Sequence, residues 1–155
     1  MSSRTEIKNY LKQAYLLDQQ IDSKIEQVAS LHTLAAKATS TLSDMPPSGS
    51  RNVHRMEDII LKVIKMENEI NADIDDLVDL KEDIRQLIGK VENTEYRYIL
   101  EQRYMNFRQW EKIAADMGYS LQYLFRLHNR ALDVAAEIYS AGKRGELRRV
   151  KVTKR

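Results

Sequence analysis

The sequence predicts an all-α protein: a long antiparallel helical hairpin (a coiled coil) over residues 1–91, a helix-turn-helix domain over 92–141, and a basic tail over 142–155. Three observations predict it. Gly and Pro are scarce, 5 and 2 residues, while charged residues make up 31%, which is the balance of a helix-rich chain. Two long stretches repeat apolar residues in steps of three and four, as one face of a helix requires. The periodicity then breaks into three short units around a glycine.

The first stretch runs from Thr5 to about Leu42. Ile7, Tyr10, Ala14, Leu17, Ile21, Val28, Leu31, Ala35, Ala38 and Leu42 form its seam, a heptad pattern sustained long enough for a coiled coil rather than a short globular helix. Lys24 alone interrupts the series, and its stem can lie along the seam while its charge reaches water. Thr5 is placed to cap the start, because a side-chain oxygen there accepts from unpaired backbone amides.

Ser43-Asp44-Met45-Pro46-Pro47-Ser48-Gly49-Ser50 ends this helix. Two prolines remove donors and clash with a continuing helix, and Gly49 lets the chain reverse near 43–51. A second stretch spans Val53 to Val91, with Met56, Val63, Ile70, Leu77, Ile84 and Val91 seven apart and an opposite face rich in Asp, Glu and Lys. Each stretch would extend about 55–60 Å at 1.5 Å per residue. Equal lengths joined by a short loop imply an antiparallel pair. Two helices alone bury only part of so wide a stripe, so the remainder calls for a cover: a second copy making a four-helix bundle, or the C-terminal domain.

After Glu92-Asn93-Thr94 the pattern predicts one helix from Glu95 to Met105, a second unit within Phe107–Ser120 whose helix ends at Gly118, and a third helix from Leu121 to about Ser140. Two helices that cross closely need a small residue at the contact and a residue in the turn that accepts positive φ. Ala114 is the small residue, Gly118 stands where the second helix must end left-handed, and Ser120 sits at an N-cap position. Ile113 and Met117 face inward before the turn; Tyr119, Leu124 and Leu127 do so after it. Trp110 lies on that apolar face and is assigned to the core.

Charge is partitioned along the chain. Residues 1–92 carry 12 Lys/Arg and 16 Asp/Glu, whereas residues 93–155 carry 13 and 7, so a polyanion is drawn to the C-terminal third. The outward positions of the third helix are Gln122, Tyr123, Phe125, Arg126, Asn129 and Arg130, and no acidic residue occurs between Met117 and Asp133. Gln and Asn can read adenine and Arg guanine in a major groove. On this reading Gln122, Arg126 and Asn129 contact base edges, while Ser120, Tyr123, Arg130, Arg108 and Lys112 hold phosphates. His128 is placed beside that outward face, and the segment from Gly142, with seven basic residues against one acidic, reads as a flexible arm for phosphate or as a solubilising tail.

Residues 93–136 resemble the promoter-recognising region 4 of sigma-70-type factors. The likeness runs through Tyr96, Ile99, Leu100, Arg103 and Tyr104, then Trp110-Glu111-Lys112-Ile113-Ala114, Gly118-Tyr119-Ser120 and Arg130-Ala131-Leu132. The whole chain, with Asp18-Gln19-Gln20-Ile21-Asp22-Ser23-Lys24 and Leu42-Ser43-Asp44-Met45-Pro46, is similar to small sigma-region-4-like proteins of phages, prophages and mobile elements of low-GC Gram-positive bacteria. It also resembles phage late-gene transcription activators. The resemblance implies a regulator of phage genes that binds double-stranded DNA and meets RNA polymerase. The chain lacks the sigma region that binds the −10 element and melts DNA, so the resemblance does not extend to a complete sigma factor.

The expectation is therefore a sequence-specific DNA-binding transcription regulator, dimeric through the hairpin. Two rivals stand beside it: a DNA-packaging component resembling a terminase small subunit, and a coiled-coil scaffold protein. An enzyme is not expected, since no Gly-rich phosphate loop and no nucleophile with a convergent base occurs, and neither is a cofactor. The acidic series Asp73–Asp83 reads as a solvated face rather than a metal site; His32 and His54 are isolated. With 0 Cys no disulfide framework forms. No apolar run long enough for a membrane span and a charged N-terminal stretch in place of a signal peptide suggest a cytoplasmic protein.

Overall fold

The computed structural model describes residues 2–42 and 50–153, and the side chains of 3–40 and 53–145. All of its regular structure is helical: α1 (Ser2–Leu42), α2 (Ser50–Gly89), α3 (Thr94–Leu100) with a π-helical turn (Glu101–Met105), α4 (Trp110–Met117) and α5 (Leu121–Thr153). The expected reversal at Ser43–Gly49 lies outside the described residues. Two compact units form: one from Met1–Leu16 and Asp79–Arg155, the other from Leu17–Val78. Both long helices contribute to each.

In the Leu17–Val78 unit α1 and α2 run antiparallel. Lys24 reaches Asp73, and Thr39 reaches Met56, so rising numbers on one helix meet falling numbers on the other. Ile21, Ala38, Val63, Ile70 and Leu77 are buried, the a positions of α2 keeping their seven-residue spacing as a coiled-coil seam does. Lys24 departs from expectation. Its ammonium lies 2.6 Å from Asp73 and 3.9 Å from Glu69, with 28% of the Lys24 and 20% of the Asp73 side chain accessible. The hydrogen bond to Asp73 raises the lysine pKa. The interruption of the stripe is thus answered across the seam by the partner helix.

In the other unit Ile7, Leu11 and Ala14 of α1, Ile84 and Ile88 near the end of α2, and Val91 just beyond it are fully buried. The start of α1 packs on α5: Arg4 forms a two-pronged bond to Asp133 at 2.8 and 2.7 Å, Tyr10 meets Tyr139 at 4.7 Å, and Lys143 pairs with Glu6 at 3.3 Å. Here the C-terminal helices cover the apolar stripe of α1. Since α1 begins at Ser2, Thr5 lies inside the helix and does not cap it.

Two boundaries also differ from the sequence reading. The expected helix from Glu95 to Met105 becomes α3 followed by a wider π turn, closed by Asn106 N to Glu101 O at 3.0 Å. α5 continues to Thr153, past the expected end at Ser140, so residues 142–153 are helix rather than a flexible arm. No helix among the described residues is long and apolar enough to cross a membrane.

The seam pair gives a test. Because removing one partner strands the other charge in a partly desolvated site, Asp73→Ala should lower the thermal unfolding midpoint, and Lys24→Met combined with Asp73→Leu should restore it. Circular dichroism melts of the two variants check this, and an unchanged midpoint in Asp73→Ala would deny the pair any part in stability.

Candidate nucleic-acid interface

The site is built on the turn between α4 and α5. Gly118 adopts φ 72°, ψ 29°, a left-handed conformation that costs residues with a Cβ about 1–2 kcal/mol. Its amide donates to Ala115 O at 3.3 Å, and that of Tyr119 to Ala114 O at 3.0 Å. This pairing satisfies the last carbonyls of α4 in a Schellman motif. Ser120 then opens α5: its Oγ accepts from Tyr123 N at 3.2 Å and its carbonyl from Leu124 N at 2.9 Å.

With the turn so fixed, Leu124 and Leu127 of α5 pack on Ile113 and Ala114 of α4 and Ile99 of α3, and Tyr96, Trp110, Met117 and Tyr119 close around them. The Tyr119 hydroxyl donates to Glu95 at 2.5 Å, and this bond raises the Tyr119 pKa. At the same end of α3, Asn93 caps the helix by accepting from Glu95 N and Tyr96 N at 3.0 and 3.1 Å.

The opposite face of α5 is open. Ser120, Gln122, Tyr123, Arg126, Asn129 and Arg130 are all exposed, as is Phe125, which meets Trp110 edge-on at 5.4 Å. Gln122, Arg126 and Asn129 are spaced to form one stripe along the helix, flanked by Tyr123 and Arg130. Among the described residues neither Arg126 nor Arg130 forms an ion pair. Arg108 and Lys112 are also exposed but differ: both face Asp116, at 3.5 and 3.7 Å. Their charge is partly balanced within the protein.

His128 does not lie on the outward face as expected. It is 4% exposed, and its Nε2 is hydrogen-bonded to the Tyr104 hydroxyl at 2.7 Å. Trp110 stands edge-on to the imidazole at 4.5 Å. Burial, reinforced by the positive charges of Lys8, Arg103, Lys12 and Arg4, pushes its pKa down to about 3. Burial likewise pushes the Tyr104 phenol up. The pair is neutral at ordinary pH, one buried polar group answering the other. Its position could have been found in the sequence, because 128 is four residues after Leu124 and three before Ala131, within the buried stripe.

Sequence reasoning also missed Phe107, which has φ 57°. A bulky residue there is strained and persists only when its surroundings hold it. Tyr15 meets its ring edge-on at 5.5 Å, Lys81 lies 4.9 Å over it, and the adjoining backbone is held by Arg108 N to Gln102 O and Arg103 Nη1 to Arg108 O, each 3.0 Å. Arg103 also lies 4.7 Å over the Trp110 ring. Nothing in a Phe at that position signals a left-handed residue. No group of three or more His, Cys, Asp or Glu among the described residues is placed to hold a metal ion.

Fold and site together define an all-α protein in which a tight glycine turn sets a long helix with one face buried and one face open. The chain belongs to the DUF1492 family, described as a protein of unknown function, whose profile matches residues 37–135. The matched span takes in α2, α3, α4 and the open face of α5. No curated protein and no solved structure matches the chain.

Two outcomes follow. Gly118→Ala should cost roughly 1–2 kcal/mol of stability through the left-handed turn, read by denaturant unfolding. For His128, the unfolded imidazole titrates near 6.5 and the folded one near 3, so its contribution is complete above pH 6.5 and falls as pH drops toward 3. The loss between pH 7 and 5.5 should be about 1 kcal/mol, and His128→Gln should remove that increment. Equal pH slopes in wild type and variant would show that the imidazole titrates alike in both states.

Proposed function

We propose that this protein is a sequence-specific DNA-binding transcription regulator, encoded by a phage or prophage and acting as a homodimer through its hairpin. The observation that carries the reading is the open face of α5. Three side chains able to read base edges, Gln122, Arg126 and Asn129, stand exposed in one stripe, beside Arg130, which has no carboxylate partner among the described residues, on a helix whose other face is locked into a core. Base-reading groups on a rigid helix keep the geometry that discrimination between bases requires. Ser120, Tyr123 and Arg130 flank the stripe as phosphate contacts. Arg108 and Lys112 fill that role only by exchanging Asp116 for phosphate. The resemblance to sigma region 4 supports the same use of these helices, with RNA polymerase as a further partner, and the likeness to phage and prophage proteins supports the origin.

Selection of bound sequences from a random DNA pool with the purified protein tests the reading. An enriched motif is expected, and a palindrome would report a two-fold dimer. Absence of DNA affinity even at low salt, where counterion release favours binding most, would favour a scaffold protein; a ring of eight or more subunits in solution would favour a packaging component.

Once a site is known, Arg126→Ala should cost about 1–3 kcal/mol and relax preference at one base position. Arg130→Ala should weaken all sequences alike and reduce the salt slope by about one. Binding titrations on matched and mismatched duplexes separate these outcomes, and uniform loss in both variants would remove the base-reading role of Arg126.

A further inference from the structure

The seam of the Leu17–Val78 unit uses the a and d positions of α2, yet the helix carries a second apolar series beside it. Ile60, Ile64, Ile74 and Val78 are 48%, 49%, 40% and 61% exposed. Together with Glu67 and Asn71 they recur in steps of four and three at 60, 64, 67, 71, 74 and 78, the spacing of one continuous helical stripe. On α1 the exposed Ile25 occupies the equivalent heptad position, which in an antiparallel pair falls on the same flank. The other flank is more polar: a groove there has Gln27 and Ser30 against Lys62, Lys65 and Glu69, with Leu31 and Met66 also lining it, and Leu34 is an exposed apolar residue beside it. The continuous exposed apolar series of α2 thus lies on one flank of this hairpin, and such a series calls for a cover.

The order of residues in the stripe identifies what covers it. It reads Ile, Ile, Glu, Asn, Ile, Val, the same classes from either end. An antiparallel copy of α2 centred at position 69 therefore sets Ile60 against Val78, Ile64 against Ile74, and Glu67 against Asn71. A two-fold interface needs a surface complementary to itself, and this one meets apolar with apolar at its outer pairs. At its centre a carboxylate meets an amide donor rather than another carboxylate. A polar pair at one level of a helical interface fixes register, since any slip sets Glu67 or Asn71 against isoleucine.

We infer that this stripe of α2 is the dimerisation face, where a second copy of the chain docks antiparallel with its two-fold axis at position 69. The inference deepens the homodimer part of the proposed function and rests on that part alone; DNA recognition does not enter it.

The absence of native cysteine permits a direct test on the full chain. In the antiparallel register Ile64 of one copy faces Ile74 of the other, while the two Ile64 positions stand about 15 Å apart along the helices, beyond the reach of a disulfide. Mixing Ile64→Cys with Ile74→Cys under mild oxidation should give a cross-linked heterodimer, and Ile64→Cys alone should give none. Separately, Ile64→Asp with Ile74→Asp should convert a dimer to the 18.1 kDa monomer in sedimentation, with helicity by circular dichroism retained because both residues are exposed. Efficient cross-linking of Ile64→Cys with itself would overturn the antiparallel register, and a wild-type chain that sediments as a monomer at all concentrations would overturn the interface. DNA titrations of wild type and the Asp variant at one duplex half-site report on base recognition independently, so loss of one reading leaves the other standing.

Discussion

The left-handed turn at Gly118 is the constraint on which the C-terminal half of this protein depends. It stops α4 after two turns, aims the last carbonyls of α4 at the amides of Gly118 and Tyr119, and delivers Ser120 to the start of α5. From there α5 runs unbroken, so the direction set in its first turn fixes the faces of every turn that follows. Leu124, Leu127, Ala131, Leu132, Ala135 and Ala136 go inward, and Gln122, Arg126 and Asn129 go outward as the complementary consequence. The exposure of the proposed reading residues therefore descends from one backbone angle and from the small side chain of Ala114, which lets the two helices approach.

Around this turn the protein places polar groups where apolar ones would pack more simply. His128 and Tyr104 are both buried, a location that costs free energy unless each finds a partner, and they find each other. Among the described residues no buried side-chain nitrogen or oxygen is left without a hydrogen bond. A directional bond across the core joins the π turn to α5 in one arrangement, where an apolar contact would tolerate several. Phe107 follows the same logic at the backbone level. Its unfavourable φ persists because the ring is held by Tyr15 and Lys81 and the chain on either side is hydrogen-bonded.

The hairpin shows the same economy on a longer scale. A heptad seam consumes only two positions in seven, but α2 has apolar residues at more than two. In the unit of Met1–Leu16 and Asp79–Arg155 the surplus is buried, as Leu87 and Ile88 are. Between Leu17 and Val78 the surplus remains on one flank, while Lys24 and Asp73 join the two helices within the seam.

The amino-acid sequence by itself determined the elements: two long helices with their heptad seams, the turn at Gly118, the cap at Ser120, and which residues of α5 point inward near Leu124 and Leu127. These are local properties, written in spacings of three, four and seven and in the conformational freedom of one glycine. The outward face of α5 was equally legible, apart from His128, whose polarity outweighed a position that the spacing placed inside. Tertiary structure alone decided the rest: that Arg4 meets Asp133, that Lys24 meets Asp73, that the helix after Leu100 widens into a π turn, that Phe107 turns left-handed, and that α5 does not stop at Ser140. Each of these depends on residues distant in the chain or on packing that overrides local preference. Periodicity reports which face of a helix is apolar, and only the folded chain reports what lies against it.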